Sequence, residues 1–119
     1  MPHIILKHNQ STEISPPLYE TFFKKAADIL ASNDFCSIDA IKCYTVTPQY
    51  SYLPTKSFFF HIDLLLLERD SKASVNEKAK LIRELAKTVF NPFYKTDPDA
   101  FTFEIRFMKK DQYFKADLF

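Results

Sequence analysis

The chain has 119 residues, 46% of them hydrophobic, and a net charge of +1, which fits one compact domain with a core of its own. So small a charge creates no strong field toward nucleic acid or an anionic membrane surface, and we expect neither as a partner. The sequence contains no glycine, which excludes the glycine-rich phosphate-binding loops of dinucleotide-binding and P-loop enzymes. Tight turns must therefore depend on Asn, Asp, Ser and the 7 Pro.

Targeting and membrane signals are not evident in the sequence. The first apolar run, HIIL, ends at Lys7, and the LLLL run at 64–67 is too short to span a bilayer. We therefore expect a cytoplasmic protein in which Cys36 and Cys43 are free thiols.

The first part of the chain predicts a strand, a helix and a strand. Residues 3–8 alternate weakly, as in a short strand. Ser15 suits a helix N-cap and Pro16 the first helical position, and Asn33-Asp34 ends the helix. The predicted apolar stripe of this helix is Leu18, Phe22, Ala26, Ile29 and Leu30. Residues 37–47 are rich in β-branched and aromatic side chains and predict the second strand.

The second part repeats this order. Residues 57–70 predict a long strand that is apolar on both faces. Ser74 and Glu77 match a capping box at the start of a helix, which Asn91-Pro92 stops near its end. Its predicted stripe is Val75, Ala79, Ile82, Ala86, Val89 and Phe93. Residues 100–108 alternate cleanly, as in a strand with one apolar face.

The repeat is also visible in the amino-acid sequence, because PHIIL at 2–6 aligns with FHIDL at 60–64. This alignment matches His3 with His61. Each half, about 1–50 and 55–119 of a single domain spanning 1–119, should form a right-handed βαβ unit. The expected fold class is therefore α/β: an α+β two-layer sandwich of two pseudo-symmetric βαβ units, with a four-stranded mixed sheet and two helices on one face.

The sheet face away from the helices is expected to be covered. The long strand remains apolar on that face apart from His61 and Asp63. A neighbouring subunit is the simplest cover for such a surface.

Pro2 is the first candidate for chemistry. A proline at the start of a strand is structurally ordinary, because it lacks a backbone donor. If Met1 is removed, however, Pro2 becomes a rigid secondary amine. An α-amine has a reference pKa of about 7.7–8.0, so burial or a nearby cation must lower the pKa before the amine acts as a base near neutrality. Lys42 and Arg106 are the candidate cations.

Four segments together carry a family resemblance: MPHII, FFFHIDLLL, FEIRF and YFKADLF. Over nearly the whole chain they resemble the tautomerase superfamily, and within it the branch of 5-carboxymethyl-2-hydroxymuconate isomerase. The resemblance implies a homotrimer without a cofactor in which Pro2 is the catalytic acid and base. It also implies an unsaturated 2-keto or 2-hydroxy (di)carboxylate substrate, as in aromatic catabolism.

The segment AIKCYTV, laid on the corresponding family strand, places Lys42 and Tyr44 where arginine is common. Their spacing puts both side chains on one strand face. Lysine keeps the charge of arginine without its planar fork, and tyrosine keeps a donor without the charge. The resemblance thus implies that Lys42 and Tyr44 bind substrate; the alternative is a pair of solvated tips on an edge strand.

Other polar residues are expected to be structural. His3 and His61 should be buried and hydrogen-bonded, and His8 should lie at the surface. No close pair of metal ligands supports a zinc site, and Cys43 is expected to fill the core. The remaining residues of this kind, predicted to lie in solvated turns, are Arg69, Lys72, Asp97 and Asp99. For Arg69 and Lys72 the alternative is a contact with a substrate carboxylate, because the isomerases that the chain resembles have an arginine after this strand.

Two other functions stay open. If Pro2 works as an acid, the same scaffold suits a different proline-dependent reaction, such as dehalogenation or decarboxylation. If Met1 is retained, the Pro2 nitrogen is an amide without useful basicity, and a non-catalytic trimeric binding or structural protein is the alternative.

Overall fold

The computed structural model describes residues 2–9, 15–55, 58–67, 72–94 and 100–109. Its main elements are β1 (His3–His8), α1 (Pro16–Ala31), β2 (Lys42–Val46), β3 (Phe60–Leu67), α2 (Lys72–Tyr94) and β4 (Phe101–Met108). Short 3-10 helices lie at Ser32–Asp34 and Ile38–Ala40. Neither described helix combines the length and the apolar character needed to cross a bilayer.

The sheet has the strand order β2-β1-β3-β4. β1 pairs in parallel with β2, and β3 with β4, while the two central strands β1 and β3 are antiparallel. This is the mixed four-stranded sheet predicted from two βαβ units. Both edges of the described sheet are therefore the closing strands of the two units, β2 and β4.

Both helices cover one face of the sheet, and alternate strand residues fill the space between the layers. Phe60, Ile62, Leu64 and Leu66 of β3 are fully or almost fully buried against the helices. Phe60 stacks on Phe90 of α2 with ring centroids 5.8 Å apart. The intervening strand residues point to the opposite side of the sheet, which we term the open face.

The start of α1 follows the sequence prediction. Ser15 is the N-cap residue in extended conformation and is followed directly by proline, although its side chain makes no capping hydrogen bond. Beyond the helix, Asn33 has a φ of 59°. Asparagine tolerates this left-handed region better than most residues, so it replaces the glycine that the sequence lacks.

A buried lysine of α2 closes the carboxyl end of α1. Lys78 Nζ donates to the carbonyl oxygens of Ile29 at 3.1 Å and Ser32 at 2.7 Å, and to Ser32 Oγ at 2.6 Å. The ammonium also lies 5.4 Å from the ring centre of Phe35. These contacts add a charged donor to helix-end carbonyls that also accept from the backbone N–H groups of Ser32 and Phe35.

Two predicted strand boundaries were too wide. β2 begins only at Lys42, because Ile38–Ala40 forms a 3-10 turn in which Ser37 Oγ accepts from the Asp39 N–H at 3.3 Å. That local hydrogen bond competes with strand pairing. The predicted strand over 57–70 is observed over Phe60–Leu67.

The predicted start of α2 was also wrong in detail, whereas its end agrees with the prediction. The helix begins at Lys72, so Ser74 lies inside its first turn and is not the N-cap, and Lys72 belongs to the helix and not to a turn. Pro92 is accommodated within the last turn, and the helix continues to Tyr94. Met1, Arg69, Asp97, Asp99 and the YFKADLF segment lie outside the described residues.

Candidate functional site

Pro2 lies buried at the entrance to β1. Its carbonyl oxygen accepts the backbone N–H of Lys42 at 3.0 Å. The parallel register continues this pairing with His3 opposite Lys42. The fold thus brings the amino end of β1 beside the start of β2 and places Pro2 next to one of the two predicted substrate-binding residues.

Lys42 and Tyr44 share the open face with His3, as their spacing predicts. Both residues are exposed, Tyr44 to 39%. The phenolic oxygen of Tyr44 lies 3.0 Å from His3 Nδ1, and the two rings meet edge to face at 76°. His3 is hydrogen-bonded as expected, although it is only half-buried.

The surroundings of His3 favour the neutral imidazole. Burial lowers the pKa of His3 below its usual value, and the positive charge of Lys42 acts in the same direction. A neutral imidazole carries a single N–H, so its Nδ1 either donates to the Tyr44 oxygen or accepts from it.

Arg106, the other proposed cation, lies two strands away from β1. Its guanidinium donates to Glu104 at 3.0 Å, and its Nε lies 3.9 Å from Asp63. With strands about 4.8 Å apart, the backbone of Arg106 is roughly 10 Å from β1. Within the described chain, Arg106 is therefore directed to these two carboxylates and not to Pro2.

A charged network occupies the centre of the open face. Asp63, only 4% exposed, is 2.7 Å from Lys7 Nζ and 2.9 Å from His61 Nε2. His61 Nε2 is also 3.4 Å from Glu104. Burial acts to raise the pKa of Asp63, but hydrogen bonds from Lys7 and His61 outweigh it and hold the pKa below its usual value.

This network was not predicted as a whole, because the sequence identified His61 and Asp63 as polar positions on the face but not their partners. Only the register of the strands could have indicated these partners, because it sets Lys7 beside His61 and Glu104 beside Asp63. His61, Asp63 and Glu104 are close enough to hold a metal ion. Lys7 and Arg106 already balance the two carboxylates, so we interpret the cluster as an ion-pair network.

His8 contradicts its predicted surface position. The side chain is fully buried, with Nε2 2.7 Å from the Tyr19 hydroxyl and its ring stacked on Phe60 at 5.8 Å. Strand alternation turns His8 toward the helices together with Ile4 and Leu6. Burial lowers the pKa of His8 below its usual value.

Cys43 packs toward α1, and its environment makes it a poor nucleophile. Burial raises the pKa of the Cys43 thiol to about 11, so almost no thiolate is present at neutral pH. Cys36 and Cys43 are both free thiols, as predicted. The lining of a groove of about 520 Å³ between α1 and β2 includes Cys43, Tyr44 and Phe23.

No protein-family model matches the chain, and no curated protein matches it. Solved structures, in contrast, match most of the chain. A 5-carboxymethyl-2-hydroxymuconate delta-isomerase matches 98% of this chain and 87% of its own, with a TM-score of 0.74 and 10% identity. A fused 4-OT wild-type asymmetric trimer matches 96% and 92%, with a TM-score of 0.75 and 8% identity.

A third similar structure is Pt0534 inactivated by 2-oxo-3-pentynoate, which covers 96% of this chain and 91% of its own at a TM-score of 0.72 and 8% identity. These likenesses confirm at the level of the fold the resemblance to the tautomerase superfamily. The chain has the tautomerase fold.

Proposed function

We propose that the protein is an isomerase or tautomerase that moves a proton within an unsaturated 2-keto or 2-hydroxy (di)carboxylate. Pro2, freed of Met1, is the acid and base of this reaction. The observation that carries the proposal is the buried Pro2 joined through its carbonyl to Lys42, in a chain with the fold of a 5-carboxymethyl-2-hydroxymuconate delta-isomerase.

The reaction requires one group that removes a proton from one carbon and delivers it to another. A secondary amine does both if its pKa lies near the working pH. Burial of Pro2 and the charge of Lys42 both disfavour the ammonium form, and each unit of pKa depression corresponds to about 1.4 kcal/mol. The surroundings of Pro2 therefore act in the direction that the chemistry needs.

Lys42 and Tyr44 are the proposed substrate-binding residues. The Lys42 ammonium attracts a carboxylate, and the Tyr44 hydroxyl supplies a directed donor on the same face. The Lys42 ammonium also stabilises the negative charge that develops on a dienolate. Neither side chain provides the two-pronged fork of arginine, so we expect weaker discrimination among carboxylates than two arginines would give.

We further propose that three copies assemble and that the protein acts in the cytoplasm without a cofactor. Three of the similar structures are trimers of fused 4-OT. Ile5, Leu65 and Leu67 lie on the open face and are only half-buried in the single chain. Covering them in an assembly would remove apolar surface from water.

The test begins with the intact mass of the native protein, which should lack Met1. Ketonisation of phenylenolpyruvate is then measured for the wild type and Pro2→Ala, with Pro16→Ala as the matched control at an exposed proline. We expect Pro2→Ala to lose at least about a hundredfold in kcat/KM, the scale of acid–base catalysis. Turnover by a native protein that retains Met1 would eliminate the mechanism.

Covalent labelling separates the remaining alternatives. 3-Bromopyruvate and 2-oxo-3-pentynoate, the compound that inactivated Pt0534, should modify the Pro2 nitrogen. Labelling without isomerase activity would favour dehalogenation or decarboxylation. Neither labelling nor activity across a panel of carboxylates would favour a non-catalytic trimer.

A further inference from the structure

We propose that His3 is a positioning residue that holds the Tyr44 hydroxyl in place as a donor to the substrate carboxylate. The inference rests on the proposed function, because it concerns the same site. His3 itself does not touch the substrate in this account; it acts through Tyr44.

The path of the Tyr44 side chain supports this role. By register, Tyr44 lies opposite Ile5, two positions beyond His3 along β1. Its hydroxyl nevertheless reaches His3 Nδ1 at 3.0 Å, so the side chain leans back toward the amino end of β1, where Pro2 lies. His3 thereby directs an edge-strand side chain toward the proposed reacting amine.

Tyr44 also differs in exposure from two other tyrosines nearby in the chain. Tyr50 and Tyr52 in the following loop are 82% and 74% exposed, whereas Tyr44 is 39% exposed. Fixing a side chain before the ligand arrives removes part of the entropy that binding would otherwise cost. A held phenol is therefore a better ligand-binding group than a free one.

The tautomer of His3 decides whether the Tyr44 hydroxyl can donate to a substrate carboxylate. If the neutral His3 carries its proton on Nδ1, it donates to the Tyr44 oxygen and leaves the Tyr44 proton for a carboxylate. In the other tautomer, Nδ1 accepts a hydrogen bond from the Tyr44 hydroxyl, which then has no proton left to donate to the substrate. Binding of a carboxylate therefore selects the Nδ1-protonated form, and the hydrogen bond from His3 polarises the phenol as a donor.

The second half of the chain contains a similar pair that supplies a control. His61 Nδ1 lies 2.6 Å from Thr102 Oγ1. There the histidine also contacts Asp63 and Glu104. Lys7 and Arg106 are already paired with those two acids, so a carboxylate ligand would have to compete with them at that position.

The experiment compares steady-state kinetics of Met1-free variants with phenylenolpyruvate. Tyr44→Phe removes the donor, His3→Phe keeps a ring but removes its nitrogens, and His3→Asn retains an amide nitrogen near the place of Nδ1. Thr102→Val is the matched control, since it removes the hydroxyl from the second pair. Circular dichroism and molecular mass in solution verify that each variant is folded and assembled.

We expect Tyr44→Phe and His3→Phe each to raise KM about tenfold, on the scale of a hydrogen bond to a charged group, with kcat nearly unchanged. The double variant should be no worse than Tyr44→Phe, because His3 acts only through Tyr44. His3→Asn should restore most of the affinity, and Thr102→Val should match the wild type.

Two results overturn the inference alone: wild-type KM in His3→Phe, or additive effects of the two substitutions, while Pro2→Ala is still inactive. An inactive wild type overturns the proposed function as well. If His3→Phe does not fold, ¹⁵N NMR of the histidines in the wild type decides. With 2-oxoglutarate as the probe, His3 should be protonated at Nδ1, and a proton on Nε2 in the bound state contradicts the inference.

Discussion

The two halves of the molecule share a βαβ architecture but surround equivalent histidines with opposite chemistry. His3 pairs by register with Lys42, and His61 with Thr102. When the histidines are superposed, Tyr44 therefore corresponds to Glu104. The first half presents a cation and a phenol on an exposed edge strand, whereas the second half presents carboxylates balanced by Lys7 and Arg106.

This difference explains why a repeated fold would carry a single active site. In the PHIIL and FHIDL alignment, Pro2 corresponds to Phe60. Phe60 is fully buried and stacked between His8 and Phe90. The position of the proposed amine in one half is thus a core residue in the other.

The largest expected change in stability comes from substitution of Phe60, the core residue of that comparison. Phe60→Ala removes a fully buried ring with two stacked neighbours and should destabilise the fold by about 3–5 kcal/mol. Urea denaturation measures the loss, with the half-buried Phe58→Ala as the matched control. A loss no larger than that of Phe58→Ala would contradict the assigned role of Phe60.

A smaller loss is expected at the contact between the two helices. Lys78→Met keeps the apolar stem but leaves the carbonyls of Ile29 and Ser32 without their ammonium donor, which should cost about 1–3 kcal/mol. Lys80→Met, at an exposed position of the same helix, should change the free energy of unfolding by less than about 0.5 kcal/mol. Equal effects of the two substitutions would refute the proposed closure of α1.

The smallest expected effect is on the pH dependence of the free energy of unfolding. Because burial lowers the pKa of His8 in the folded state, the unfolded chain binds more protons below about pH 6.5, so stability falls as the pH drops through this value. His3 contributes in the same direction. His8→Gln should make the dependence of the free energy of unfolding on pH less steep as the pH falls below about 6.5. An unchanged slope would show that His8 does not titrate differently on folding.

The elements, the repeat and the mixed sheet were predictable from the sequence because they depend on local periodicity and a few turn residues. Pro16 and Asn33 mark the ends of α1 by their backbone preferences alone. The contacts of Lys78, His8 and the Asp63 network were not predictable, since they join residues from distant parts of the chain. Lys78, for example, meets Ser32 across 46 positions.

The candidate site also has features that could be predicted from the sequence and features that could not. Pro2, Lys42 and Tyr44 were proposed from residue type, spacing and family resemblance. The structure places Pro2 and Lys42 side by side at the starts of β1 and β2, with Tyr44 in the middle of β2. The His3–Tyr44 bond could not be predicted, because it requires the register of two strands 41 positions apart. The expectation that both histidines are structural did not distinguish their different neighbours.

The central claim is tested most directly by the pKa of the Pro2 amine in the Met1-free, assembled protein, measured by NMR titration with ¹⁵N-labelled proline. We predict a midpoint below the reference α-amine range of about 7.7–8.0, as burial and Lys42 require. A midpoint within or above that range would contradict a base at this position.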